Sequence, residues 1–254
     1  MAFEAPWDAK VPDLETCVRR YEAGPDANTR MMLDELEPLD GKRVLDLAGG
    51  FGLTSAFLAA RGAVVTSLEI NPTSVERARQ LARRLAFSLE PICGRLTPRT
   101  FPPRCFDAVA GSYALRDVDV EALAPMLGDV LVREGRAAFL ETLAADAHLE
   151  LVRARWPRVR VAVRSRSGPG QPLTSADLGA LAREIGELQL GVSQMSLLRS
   201  LDRDMLGHRA HVSALLGTLD DRLHARGLGQ LSRDQVIVAT KPGARGTQRA
   251  LIPE

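Results

Sequence analysis

The chain alternates between two hydrophobic rhythms. Short runs rich in Val, Leu and Ile have the length and branching of buried β-strands, while longer segments repeat apolar residues every three or four positions, as one helix face does. Arg43 to Ala48 (RVLDLA) is the first clear strand and ends in the glycine cluster Gly49-Gly50-Phe51-Gly52. Leu53 to Ala60 predicts a helix that Gly62 closes, and Ala63 to Leu68 (AVVTSL) a second strand. Asn71-Pro72 starts the next helix, with Pro72 in its first turn and Val75, Ala78, Leu81, Ala82 and Leu85 marking one face. A third strand is expected over Ser88 to Cys93, followed by a proline-rich loop to Arg104 and a fourth strand over Phe106 to Gly111 (FDAVAG). Val120 to Leu131 reads as a helix and Arg136 to Glu141 (RAAFLE) as a fifth strand, with Glu134-Gly135 as the turn between them.

This repeated β-α-β order specifies an α/β fold: a doubly wound, mostly parallel sheet with right-handed crossovers and helices on both faces. Beyond residue 142 the pattern loosens. A helix is expected near Ala145 to Arg155, a loop at Ser167-Gly168-Pro169-Gly170 and a helix from the cap at Thr174 to about Gly186. A strand at Leu188 to Leu197, an amphipathic segment from Asp202 to Arg226 and a last strand at Gln235 to Thr240 (QVIVAT) complete the pattern. The chain therefore divides into an N-terminal helical segment (1–40), an α/β core (41–142), a C-terminal part of the same domain (143–242) and a tail (243–254).

Composition narrows the class of protein without deciding it. With 254 residues, 45% hydrophobic and 26% charged, the chain can bury a core and is neither fibrous nor disordered. No stretch reaches the roughly 18 uncharged apolar residues that a membrane span needs, and Glu4, Asp8 and Lys10 do not fit a signal peptide. A cytoplasmic protein is expected. The net charge of +1 exerts no global pull on nucleic acid, although Arg153, Arg155, Arg158, Arg160, Arg164 and Arg166 crowd one stretch free of acids. Cys17, Cys93 and Cys105 lack the paired spacing of a zinc site and read as small buried hydrophobes.

In an open parallel sheet, ligands bind at the carboxyl ends of the strands where the winding reverses. The loop there, from Asp46 to Gly52, lets the backbone turn sharply and approach a ligand, and the following helix points free amides at the same spot. Glu69 ends the second strand 23 residues after Asp46, where a carboxylate can accept both hydroxyls of a ribose. NAD or S-adenosylmethionine could both use it. Ser55 fits a dinucleotide fingerprint loosely, Asp46 would repel a pyrophosphate but suits a sulfonium cofactor with an ammonium group, and neither Tyr21 nor Tyr113 has a lysine four residues on.

Arg43 to Gly52 (RVLDLAGGFG) resembles motif I of the class I S-adenosylmethionine-dependent methyltransferases, and its Asp-Leu-Ala-Gly-Gly-x-Gly variant is similar to the C-methyltransferases of ubiquinone and menaquinone biosynthesis. Phe106 to Val118 (FDAVAGSYALRDV) resembles the segment around the fourth strand of the same group, Gly135 to Glu141 fits its fifth, and Val18 to Glu22 (VRRYE) echoes the tyrosine that precedes motif I. The resemblance covers about residues 40 to 142. It implies the seven-stranded Rossmann-like fold of that class, S-adenosyl-L-methionine as cofactor, and an N-terminal segment covering the cofactor site. It further implies that Asp46, Gly50 and Gly52 shape the methionine pocket, that Glu69 holds the ribose, and that Ser112 borders the methyl group. Tyr21, Ala48, Gly49, Ile70, Arg95 and Leu96 would complete the cofactor site. The sequence departs from the pattern in three places. Gly94-Arg95 stands where the family has an acid for the adenine amino group, so that contact is left open or falls to backbone; Leu53 replaces an Asp; and the quinone-associated C-terminal segment is not recognisable.

Methyl transfer from a sulfonium asks the protein mainly to align donor and acceptor and exclude water. Tyr113, Asp117, Glu141 and His148 are the candidate general bases for an acidic acceptor, and Arg116 could steady an anionic one. No metal is expected, since His148, His208, His211 and His224 form no ligand set with neighbouring acids. The expected acceptor is a small organic molecule. Three other functions stay open: an RNA or other nucleic-acid methyltransferase using the stretch from Arg153 to Arg166, an NAD-binding oxidoreductase, and a protein that binds the methyl donor without transferring methyl.

Overall fold

The computed structural model describes residues 11–116, 118–144, 171–191, 219, 222 and 234–243. Two short helices come first, α1 (Leu14–Glu22) and α2 (Ala27–Asp34), each started by an aspartate whose side chain accepts backbone N–H groups of the first turn. The core then runs β1 (Arg43–Leu47), α3 (Leu53–Ala60), β2 (Val64–Glu69), α4 (Pro72–Leu85), β3 (Leu89–Cys93), β4 (Phe106–Ser112), α5 (Val120–Val130) and β5 (Leu131–Thr142). After it follow α6 (Ser175–Glu184), β6 (Glu187–Gly191) and β7 (Asp234–Thr240).

The seven strands form one sheet in the order β3-β2-β1-β4-β5-β7-β6. β1 to β5 are mutually parallel, and β7 is antiparallel to both of its neighbours. The winding reverses between β1 and β4, which places the loop after β1 at the switch point.

Alternation along each strand divides the core between the two faces. Leu45, Val109, Phe139 and Ile237 point to one side, against Leu123 and Leu127 of α5 and Leu181 of α6. Their neighbours Val44, Ala108, Ala138 and Val238 point to the other, against Met32 and Leu33 of α2 and Phe57 and Leu58 of α3. Because both faces are covered, the central strands are apolar throughout, which is why they read as continuous hydrophobic runs.

The expected boundaries are met closely except around β5. Leu131 caps α5 and begins β5 at once, so Glu134-Gly135 does not separate helix from strand but lies inside a strand whose register against β4 shifts between Phe106 and Ala108. Glu134 has φ 62°, and a Cβ on Gly135 would lie 2.9 Å from the Val132 carbonyl and 3.0 Å from that of Asp107. The local turn chemistry is present, but sheet pairing continues across it as a bulge. The last residues of the Leu188–Leu197 strand lie outside the described residues, as do the expected 145–155 helix, the 167–170 loop, the arginine stretch and nearly all of the 202–226 segment. Among the described residues, no helix is long and apolar enough to cross a membrane.

Candidate functional site

The bend from Ala48 to Gly52 carries β1 into α3 through three left-handed residues, with φ 53° at Ala48, 53° at Gly50 and 87° at Gly52. Gly49 is needed for space. A Cβ there would sit 2.1 Å from Ser67 Oγ and 2.9 Å from Asp46 Oδ2. At Gly52 the added carbon would meet Ala78 Cβ at 2.9 Å, so this glycine lets α3 and α4 approach and lines neither cavity described below.

Glu69 clasps the bend from the side. One carboxylate oxygen accepts the Gly50 N–H at 3.0 Å and the other the Asn71 N–H at 2.8 Å, which joins the end of β2 to the bend and to the start of α4. The group is partly exposed, and carboxylate oxygens carry further lone pairs for a ligand.

Asp46 lies beneath the bend. Its position on β1 turns it toward α3, where Ser55 Oγ donates to Oδ2 at 2.5 Å, and Oδ1 has no hydrogen-bond partner among the described residues. Burial drives the carboxyl up to about 7; the Ser55 hydroxyl pulls it back and the Glu69 charge pushes it further up. The side chain is 1% exposed and lines neither cavity. From there it supports the bend from below through its bond to Ser55.

Two cavities open on either side of this loop. The first, about 420 Å³, is walled by Leu68, Glu69 and Ile70 at the end of β2, by Arg95 and Leu96 after β3, and by Val118 to Met126 around the start of α5. The second, about 590 Å³, lies between Gly49-Gly50-Phe51, Ser112 and the connection from α1 to α2, where Arg20, Asp26 and Thr29 contribute. Ala48 and Tyr113 belong to both walls.

Of the residues singled out from the sequence, Ala48, Glu69, Ile70, Arg95 and Leu96 meet in the first cavity, and Gly49, Gly50 and Ser112 in the second. Tyr21 lines neither. Its ring stacks on Phe57 with centroids 5.4 Å apart and fixes α1 against α3. Tyr113 has φ 53°, its N–H donates to the Leu140 carbonyl at 2.8 Å, and Arg116 lies over its ring at 5.4 Å. Burial, reinforced by nearby carboxylates, pushes its phenol up to about 12, so at neutral pH Tyr113 carries its proton and can donate a hydrogen bond. Glu141 is fully buried, with one oxygen accepting the Leu115 N–H at 2.7 Å. Asp117 and His148 lie outside the described residues. Arg20, Asp26, Thr29 and Asp119 are wall residues that the sequence did not single out. Asp26 and Asp119 show in sequence only as acids ahead of an apolar helix, which any surface cap also shows.

Residues 44–135 match the profile of the family described as "Methyltransferase domain". A demethylmenaquinone methyltransferase of Beutenbergia cavernae is 39% identical over 100 residues, covering 39% of this chain and 40% of the relative. A ubiquinone biosynthesis O-methyltransferase of Pseudomonas aeruginosa is 30% identical over 158 residues, covering 61% of this chain and 68% of the relative. Among solved structures, geranyl diphosphate C-methyltransferase from Streptomyces coelicolor A3(2), in complex with Mg2+, geranyl diphosphate and S-adenosyl-L-homocysteine, superposes with a TM-score of 0.58 at 12% identity, covering 91% of this chain and 83% of that one. At that identity the likeness is one of fold.

Proposed function

Because the chain belongs to the class I S-adenosylmethionine-dependent methyltransferases, we propose that it methylates a small organic acceptor seated in the cavity walled by Arg20, Asp26 and Thr29. The observation that carries this is the pair of cavities meeting at Ala48 and Tyr113, with a bare-backbone bend between them.

The residues present fit the methyl donor. Apolar walls at Leu68, Ile70 and Leu96 suit a purine, Glu69 at their rim suits ribose hydroxyls, and Gly50, where an added Cβ would meet nothing within 4 Å, leaves the bend bare for an amino-acid tail. Glu69, Ile70 and Leu96 would hold the nucleoside; Ala48, Gly49, Gly50 and Ser112 would hold the other end. When bound, the donor supplies an electrophilic methyl on a sulfonium, already activated for displacement.

The protein's own part is then orientation. Tyr113, neutral and shared by both walls, would donate a hydrogen bond to an acceptor oxygen near the junction. Arg20, whose guanidinium lies 5.7 Å over the Phe51 ring, would attract an anionic acceptor from the open side. Between them the acceptor would be aligned and water displaced, the effects from which this chemistry gains most.

Incubating the protein with methyl-labelled S-adenosylmethionine and a cellular extract, then separating the products by size, tests the proposal. Label is expected in a low-molecular-mass product. Label confined to nucleic acid would overturn the acceptor class, and tight binding of S-adenosylhomocysteine with no label transferred at all would overturn the catalytic role.

A further inference from the structure

Asp234 opens β7 at the edge of the sheet where β5 ends, opposite Thr142. Thr142 Oγ1 donates to its Oδ1 at 2.6 Å, so the two side chains share one face of the sheet. Alternation makes this the face of Leu140 and Val236, which belong to the cluster packed under α2. Tyr113 packs against the same cluster, and its N–H is bonded to the Leu140 carbonyl. The second cavity lies on that side too, at the connection from α1 to α2, with Tyr113 and Asp26 in its wall. Asp234 therefore stands on the face, and at the sheet edge, where Tyr113 meets the second cavity.

Charge is unevenly spread along this cavity. After burial itself, the Asp234 charge acts most strongly on the Tyr113 phenol, followed by those of Asp26 and Glu141, with Arg116 opposing them. Both oxygens of Asp26 accept from the start of α2, from the Asn28 and Thr29 N–H groups and the Thr29 hydroxyl, so Asp26 contributes charge more than contact. Glu141 is fully buried, with one oxygen held by the Leu115 N–H. Among the described residues of the wall, the cation is Arg20, which is exposed and lies over the Phe51 ring. The cavity is negative toward Tyr113 and positive at Arg20.

Methyl transfer moves charge. The acceptor's lone pair forms the bond to carbon, the carbon–sulfur bond breaks, and its electron pair stays on sulfur, which becomes a neutral sulfide. A neutral nitrogen takes over the positive charge that sulfur loses, whereas a phenolate or enolate enters negative and ends neutral. Fixed carboxylates favour the first course and repel the second acceptor.

We propose that the acceptor is an amine and that Asp234 stabilises the positive charge arriving on its nitrogen, an inference that rests on the second cavity being the acceptor site. The amine enters neutral, its proton given to water, and leaves as the methylated ammonium. Arg20, at the other end, suits an anionic group on the same molecule, which makes an amino-acid-like compound the matching class.

The low-molecular-mass product formed from methyl-labelled S-adenosylmethionine and a cellular extract provides the test. Label is expected to bind a cation exchanger in acid, to elute in alkali, and to survive alkaline hydrolysis that would remove a methyl ester. A labelled small product without a basic nitrogen would overturn the amine. Asp234→Asn keeps an oxygen for the Thr142 hydroxyl and removes only the charge. It is expected to transfer label about tenfold to a hundredfold more slowly, with S-adenosylhomocysteine affinity and thermal midpoint near native, while Asp234→Glu recovers part of the rate. An Asp234→Asn variant of native rate would overturn the role of Asp234. A native protein that binds S-adenosylhomocysteine but labels no small product would instead remove the acceptor site, and the inference with it.

Discussion

At Gly49 the added carbon of an alanine has nowhere to go. It would press on the Ser67 hydroxyl and on the Asp46 carboxylate, which Ser55 already holds. Gly49→Ala is accordingly expected to destabilise the fold by about 1–3 kcal/mol, the usual cost of overpacking a tight site. The displaced bend should also weaken S-adenosylhomocysteine binding at least tenfold, measured by calorimetry at a temperature where the variant is folded. A variant of native affinity would mean that the bend does not approach the ligand. The same scale shows what a single sequence can and cannot reveal. Asp46 and Glu69 were legible as acids at strand ends, but alternation only assigns a side chain to one of two faces, and in this sheet both faces are buried. That Asp46 points beneath the bend while Glu69 borders a cavity was not readable from spacing.

At the scale of elements, α5 and β5 meet without a loop, so the carbonyls ending the helix need donors from elsewhere. Lys241, one of three lysines in the chain, supplies them: its ammonium donates to the Gly128 carbonyl and, at 2.8 Å, to that of Leu131. Its backbone meanwhile pairs with Glu134 and Gly135 in the β5 bulge. A cation at a helix C-terminus is favourable in itself, and here it also ties β7 to α5. Lys241→Met keeps the apolar stem but leaves both carbonyls without this donor. A loss of about 1–3 kcal/mol is expected from denaturant unfolding, with cofactor binding unchanged because the contact lies away from both cavities. An unaltered midpoint would show that solvent replaces the lysine at no cost.

For the whole molecule, the buried acid couples stability to pH. Asp46 titrates near 3.8 when unfolded and at about 7 when folded, so between those values the folded chain retains a proton that the unfolded chain has released. Stability contributed by this residue is thus complete at low pH and falls as pH rises through the window. Asp46→Asn has no proton to lose. Its stability relative to the native protein is expected to climb between roughly pH 4 and 7 and level off above, by an amount on the order of 4 kcal/mol. Denaturant midpoints compared across that range provide the check, and a pH-independent difference would mean that Asp46 is solvated.

The sequence by itself determined the order of strands and helices, the sharp bend after β1, the acids at both strand ends and membership in a methyltransferase class. These depend on neighbours in the chain: side-chain periodicity, backbone freedom at glycine, and caps one turn from what they cap. The tertiary structure alone decided which face each acid takes, that burial pushes the Tyr113 phenol still higher, and that Arg20, Asp26 and Asp119 share walls with residues far away in sequence. Parallel crossovers bring every strand's carboxyl end to one edge, so the cavities there are built from separate connections, and no local pattern encodes which side chains will meet.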